Sequence, residues 1–349
     1  MIISNGGVDW RYLPQASLAA VVSLARLPFS TAEWLWMTGR EEQIKITAPV
    51  FIVGYWRSGT THLHNILGQS PEFGYISPLA SGLPWDILGL VRRLEPLLAL
   101  ALPEDRYVDN VAITPDSPQE DSIPLASMGP ISYYHGLYFP KRFAEHFRRG
   151  VFFEGCTTQE IEAWRRCHVH LLKKVALHQQ GRRLLLKNPV YTGHIARLRG
   201  IWPDAKFIHI VRNPYVVFQS TRHFFRRLLP ELALQAYDPL AIAEIESLIL
   251  ESYPRLMGAL ASDSAVLPQN SFVELSFEAL EANPLLEIQR IYAQLELPGW
   301  DAAEPRFETY IAKLAGYRKN AYAYDPEVAR LVESHWQPYL EWWQQRKPD

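Results

Sequence analysis

Val50-Phe-Ile-Val-Gly-Tyr-Trp-Arg-Ser-Gly-Thr-Thr61 is the stretch on which the reading of this chain turns. Val50 to Val53 form a short, unbroken apolar run, which predicts a strand buried on both faces. Gly54-x-x-x-x-Gly59 predicts a loop, and Thr60 to Gly68 a helix. In such a strand–loop–helix turn the backbone N–H groups point into one concavity, and the helix dipole adds positive potential. Glycine permits the positive φ that the turn needs. The ATPase form of this loop has Lys directly after the second Gly, then Ser or Thr for magnesium. Here that position is Thr60, and the cation, Arg57, stands two residues before the glycine.

Working outward, the same pattern recurs. Arg183 to Leu186 predicts a second buried strand, ending at Lys187-Asn188-Pro189. Lys206 to Val211 predicts a third, ending at Arg212-Asn213-Pro214, and Ser271 to Leu275 a fourth. Ile195–Trp202 and Pro284–Leu295 read as helices between strands. Alternating strands and helices predict an α/β fold, a P-loop-containing parallel sheet flanked by helices. Ligands bind such sheets at the carboxyl ends of the strands, which here carry Arg57, Lys187 and Arg212. A magnesium nucleotide enzyme presents an Asp at a nearby strand end. With cations there instead, the expected site neutralises its anion through side chains and amides, without metal. A sulfuryl group, less charged than a phosphoryl group, can be transferred that way.

Residues 1–47 read as a helical N-terminal extension, with Trp34 and Trp36 docked on a main domain of residues 48–349. The chain has 349 residues, 48% of them hydrophobic, enough for one large core. Its 35 basic residues nearly balance 37 acidic ones, and a net charge of −2 gives no reason to expect nucleic acid as a partner. The apolar stretch Leu18–Trp36 is interrupted by Arg26, Pro28 and Glu33, and Ile87–Leu102 by Arg92, Arg93 and Glu95. Both fall short of a spanning segment. They read as amphipathic helices packed on the core, with a membrane surface or a greasy acceptor site as the other readings. Cys156 and Cys167 match no zinc pattern and are expected as reduced thiols. No basic n-region and apolar run open the chain, so a cytoplasmic location is expected.

Arg57-Ser-Gly-Thr-Thr61 is similar to the 5′-phosphosulfate loop of the sulfotransferases that use 3′-phosphoadenosine 5′-phosphosulfate (PAPS). Many members have Lys where this chain has Arg57, though other branches, such as the tyrosylprotein sulfotransferases, share the arginine. Arg212-Asn-Pro with Ser220 resembles the family's 3′-phosphate site. Lys187-Asn188-Pro189 looks like the Lys-Asp-Pro segment of the tyrosylprotein enzymes. Tyr317-Arg318-Lys319-Asn320 falls where a basic loop closes over the donor, and Asp116-Ser-Pro-Gln-Glu-Asp121 looks like a run in bacterial members. The resemblance covers about residues 48–322 and implies a sulfotransferase-like fold and a PAPS-dependent enzyme that releases adenosine 3′,5′-bisphosphate. It assigns Arg57 and the amides of Ser58, Gly59, Thr60 and Thr61 to the 5′-phosphosulfate. His62 would lie beside the adenine, Arg212 and Ser220 would hold the 3′-phosphate, and Tyr317, Arg318 and Lys319 would close the site. Lys187 would neutralise charge on the transferring group or the leaving oxygen.

An acceptor hydroxyl or amine must lose a proton, and Glu120, in a Pro-bounded loop beside Asp121 and near Asp116, is the candidate base. Neighbouring acids and partial burial raise a carboxyl pKa toward neutrality. Plainer readings stand beside these assignments. Glu120 and Asp121 could cap the next helix, Lys187 could open a turn, and His62 could be an ordinary helix histidine. The rival functions are a P-loop kinase of small molecules and a nucleotide-binding module without catalysis. Carbohydrate, lipid, phenol and peptide acceptors all remain open. The abundance of Leu, Pro and aromatic residues over 79–140 leans toward an acceptor with apolar surface.

Overall fold

The computed structural model describes residues 2–98, 105–106, 109–112, 114–115, 117–237, 240–314 and 325–348. The chain divides into two compact units. The first comprises Met1–Lys45, Ile76–Gln180 and Phe224–Ser247, and the second Ile46–Tyr75, Gly181–His223 and Leu248–Asp349. Seven strands are described: β1 (Val50–Val53), β2 (Phe73–Gly74), β3 (Asp105–Arg106), β4 (Asp109–Ala112), β5 (Arg183–Lys187), β6 (Lys206–Val211) and β7 (Phe272–Ser276). β3 and β4 pair antiparallel within the first unit.

The second unit is built on a five-stranded, wholly parallel sheet in the order β2-β5-β1-β6-β7. β1 lies at its centre, with Ile52 opposite Lys187 on one side and Val53 next to His209 on the other. The chain leaves β1 toward β2 on one side of the sheet and β6 toward β7 on the other, so the carboxyl ends of β1 and β6 form the topological switch point at which such sheets bind ligands. All four residues of β1 are fully buried, as expected for a central parallel strand with helices on both faces. On one face Val50, Ile52, Leu185, Ile208 and Val273 pack against Leu63 and Ile66 of the helix Thr60–Leu67 and Ile288 and Ile291 of the helix Pro284–Gln294. On the other, the Phe51 ring stacks on Phe207 at 5.6 Å and meets Tyr191 edge-on at 5.5 Å.

The fourth expected strand is displaced by one residue. Gln269–Ser271 close a 3₁₀ turn in which the Ser271 N–H donates to the Pro268 carbonyl at 2.9 Å. Ser276 instead completes β7, and its hydroxyl accepts from the Ala279 N–H at 3.1 Å to cap the next helix.

The first unit is helical, with Phe143, Phe147 and Phe225 in mutual ring contact at 5.7 to 6.3 Å in its interior. Its N-terminal part forms one helix, Leu13–Thr38, running through Pro28. The expectation that the apolar residues of 18–36 pack on a core, with Trp34 and Trp36 docked, does not hold. Both tryptophans are exposed, and the residues turned inward are Arg26, Ser30, Glu33 and Met37. The reason is a polar cluster waiting for them. Asp86 accepts from Arg26 Nε at 2.7 Å and from Ser30 Oγ at 2.7 Å. Glu33 accepts from the N–H groups of Leu88 and Gly89 at 2.9 and 2.8 Å, and it pairs with Lys174 at 2.5 Å.

The packing of the sheet gives a direct test. Ile208→Ala in β6 removes a fully buried side chain from the centre of the core. It should lower unfolding free energy by about 2–5 kcal/mol in urea denaturation, the range for such truncations. A loss under about 1 kcal/mol would show that this face of the sheet is not close-packed.

Candidate functional site

The loop after β1 is held in a shape that ordinary residues resist. φ is +151° at Gly54, +66° at Arg57 and +103° at Gly59. A β-carbon on Gly54 would lie 2.7 Å from the Ile210 carbonyl oxygen, and one on Gly59 2.2 Å from the Phe277 ring. The two glycines are therefore required by contact as well as by φ. The first is also tied to the neighbouring strand's turn: Gly54 N–H donates to Thr192 Oγ1 at 2.8 Å. Ser58 closes the loop on itself, its N–H and its hydroxyl both donating to the Tyr55 carbonyl at 3.2 and 2.7 Å. Gly59, Thr60 and Thr61 enter the first turn of the helix Thr60–Leu67, where N–H groups have no carbonyl one turn back. This is the geometry of an anion cradle.

One cation belongs to the loop itself, and a second comes from the neighbouring strand. Arg57 Nε donates to Ser220 Oγ at 3.0 Å. Arg212, just beyond β6, donates from Nη1 to the Arg57 carbonyl at 3.1 Å. Its guanidinium lies over the Phe277 ring, 4.1 Å from the centroid. The helix that carries Ser220 begins at Pro214, and Asn213 opens it by accepting from the Tyr215 N–H at 3.0 Å. Next to Ser220, Thr221 Oγ1 donates to the Val217 carbonyl of its own helix at 2.7 Å and also approaches the Trp56 carbonyl of the loop at 3.3 Å. Arg57, Arg212 and Ser220, separated by up to 163 positions in sequence, thus form one hydrogen-bonded chain at the ends of β1 and β6.

Lys187 is the last residue of β5, paired in register with Ile52, and is buried. The Asn188 side chain accepts from the Val190 N–H at 3.0 Å and starts the turn that contains Thr192. His62 lies edge-on to Phe277 at 6.1 Å, so it shares that ring with Arg212. His64 is a core residue: it is fully buried, and its Nε2 meets the Leu185 carbonyl at 3.3 Å.

Phe277 was not singled out by sequence, yet it underlies the loop, Arg212 and His62 together. Its signal is its place, the first residue past the carboxyl end of β7. Thr192, which accepts from the loop's backbone, and Thr221, which approaches it, carry no motif.

Glu120 belongs to the first unit. It accepts from Ser122 Oγ at 3.0 Å, and the adjacent Gln119 N–H is fixed to the Ile76 carbonyl at 2.9 Å. Asp121 precedes the helix Ser122–Met128 but makes no side-chain cap; it is buried, 3.8 Å from His168. Burial holds His168 down at about 3. Tyr317, Arg318, Lys319 and Asp116 lie outside the described residues. Among the described residues no group of three or more His, Cys, Asp or Glu side chains is placed to hold a metal ion.

Comparison with known proteins supplies the context. The model of the sulfotransferase family designated Sulfotransfer_3 matches residues 49–302. Two curated relatives, each named omega-hydroxy-beta-dihydromenaquinone-9 sulfotransferase Stf3, come from Mycobacterium bovis and Mycobacterium tuberculosis. Each is 30% identical over 297 residues, 84% of this chain and 74% of its own length. The crystal structure of sulfotransferase STF1 from M. tuberculosis H37Rv shares the fold with a TM-score of 0.62 at 19% identity, covering 88% of this chain and 81% of that one. Sulfotransferase STF9 from Mycobacterium avium gives 0.66 at 17% identity, over 88% and 80%.

The packing of Gly59 on Phe277 yields a prediction. Gly59→Ala should destabilise the protein by about 1–3 kcal/mol, from overpacking and left-handed strain together. Adding Phe277→Ala should remove the steric part, so the double variant should lose less than the sum of the two single losses. Additive losses in thermal unfolding would mean that the ring does not press on the loop.

Proposed function

The chain belongs to the sulfotransferase family, and we propose that it is a PAPS-dependent enzyme moving the sulfuryl group to a hydroxyl on an apolar, lipid-type acceptor. The observation that carries the donor reading is the linkage of Arg57, Ser220 and Arg212. It supports a reading with two stations for anions: the loop amides with Arg57, and Arg212 and Ser220, each hydrogen-bonded to Arg57. A nucleotide with anionic groups on both its 5′ and 3′ oxygens uses both. ATP and AMP, lacking a 3′-phosphate, use one. The acceptor class is carried over from the Stf3 relatives, which are named for a hydroxylated menaquinone.

The reaction is an in-line displacement in which positioning and electrostatics supply most of the rate. A bond forms between the acceptor oxygen and sulfur as the bond from sulfur to the bridging phosphate oxygen breaks. Glu120 takes the acceptor's proton. Lys187, with Arg57 and the amides of Gly59, Thr60 and Thr61, balances the charge that gathers on the leaving 5′-phosphate, while the Ser58 N–H is spent on the Tyr55 carbonyl. Arg212 and Ser220, helped by Arg318 and Lys319, hold the 3′-phosphate, and His62 lies beside the adenine. No step requires a metal ion. Product release then frees adenosine 3′,5′-bisphosphate.

Isothermal titration tests the donor assignment. Adenosine 3′,5′-bisphosphate should bind at least tenfold more tightly than AMP, and Arg212→Ala should bring the two affinities together. A charge-assisted contact contributes about 1.5–3 kcal/mol, which sets that scale. Equal affinities in the unaltered protein would remove the donor reading, and tight binding of ADP with magnesium would favour a kinase.

The base has its own test. Glu120→Gln preserves shape and removes basicity, so kcat should fall by roughly 10²–10⁴ while the affinity for adenosine 3′,5′-bisphosphate stays unchanged. Unaltered turnover would transfer the role to another group.

A further inference from the structure

The helix Leu13–Thr38 is inverted relative to an ordinary surface helix. Its only two charged residues, Arg26 and Glu33, both face the protein. Facing out are Leu13, Leu18, Val21, Val22, Leu24, Leu27, Phe29, Trp34, Leu35 and Trp36, with Leu18, Leu24 and Leu35 exposed by 65, 68 and 61%. Soluble surfaces scatter single apolar residues; contiguous patches of this kind mark an interaction site.

The distribution of these side chains identifies the occupant. At 100° per residue they spread over an arc of roughly 240° around the helix. A partner helix or a second copy of the chain covers a stripe of about 100°. Only a medium that flows around the helix covers the whole arc. Three of the exposed hydroxyls fit the same medium. Ser23 donates to the Ala19 carbonyl at 2.8 Å, Thr31 to Leu27 at 2.7 Å and Thr38 to Trp34 at 2.8 Å. Each hydroxyl proton is therefore used within the helix.

The ends of the helix carry side chains suited to a lipid headgroup region. Arg11 lies over the Trp10 ring at 5.6 Å, and Arg40 lies over Trp36 at 4.5 Å. Aromatic and long basic residues settle at the boundary between acyl chains and water. The neighbouring helix Arg92–Leu98, in the same unit, adds exposed Arg92, Arg93, Leu94 and Leu97. Among the described residues no helix is long and apolar enough to cross a membrane.

We propose that the helix Leu13–Thr38 lies in the plane of a bilayer leaflet, its apolar arc among the acyl chains and its arginine–tryptophan ends at the headgroups, so that the first unit seats the protein on a membrane surface. The proposal is independent of which nucleotide the second unit takes.

Flotation of the full chain with vesicles of phosphatidylcholine and phosphatidylglycerol tests it. The unaltered protein should float with the vesicles. The triple variant Leu18→Glu, Leu24→Glu, Leu27→Glu should bind at least tenfold more weakly, with its unfolding midpoint and its affinity for adenosine 3′,5′-bisphosphate unchanged, because all three side chains are exposed. Binding should survive about 1 M salt, where the Debye length is ~3 Å, since the outward arc carries no charge. A second measurement needs no acidic substitution: dibrominated lipid should quench tryptophan emission, and Trp34→Phe should reduce the quenching. Failure of the unaltered protein to float, loss of binding in high salt, or equal binding by the triple variant would overturn the proposal. So would a lipid-free dimer that the triple variant dissolves, which would assign the face to a second copy of the chain.

Discussion

The site depends on how one short strand is allowed to end. β1 is buried on both faces and hydrogen-bonded on both edges, so its first polar freedom comes at Gly54. There the backbone meets the Ile210 carbonyl on one side and the Thr192 hydroxyl on the other. That confinement sends the next residues into left-handed φ at Arg57 and Gly59. A loop so shaped presents successive N–H groups together, and the helix that follows cannot use them. The anion cradle is thus a consequence of ending a fully buried strand in a crowded place. The arginines then act within a geometry that the backbone has already set.

The parallel sheet was legible because its strands are uninterrupted apolar runs bounded by Gly, Asn-Pro or helix caps. β6 falls on Lys206–Val211 as read, and β1 on Val50–Val53. The slip at β7 arose where Ser271 and Ser276 both suit a boundary, and hydrogen bonding rather than polarity decides between them. Arg57, Arg212 and Ser220 were legible as types at spacings, but their linkage was not, because a sequence does not show that a serine eight residues past an arginine turns toward a loop far upstream. Phe277 was invisible for a different reason. An aromatic after a strand reads as core, and only coordinates reveal that its face supports an arginine.

The N-terminal helix was misread because polarity patterns carry no sign. Period and moment locate two faces; they do not say which one meets the protein. The buried partners decide that, and they lie elsewhere in the chain, at Asp86, Leu88, Gly89 and Lys174.

Rotating that helix to bury its leucines would gain about 1.5–3 kcal/mol for each large apolar side chain removed from water. The rotation would also take Glu33 from Lys174 and from two backbone N–H groups, and Arg26 and Ser30 from Asp86. Breaking a buried ion pair costs about 3–5 kcal/mol, and each orphaned buried polar group about 1–3. Burial already draws the Lys174 amine below its usual range, with the charges of Glu33 and Asp86 opposing that shift. Without Glu33 that opposition weakens, and the amine is left with the charge of Asp86 and the Pro84 carbonyl, 2.7 Å away. The polar cluster therefore fixes the rotation of the helix more strongly than it adds to stability. With that rotation fixed, the apolar arc is held outward, where water is an unfavourable neighbour and lipid a favourable one.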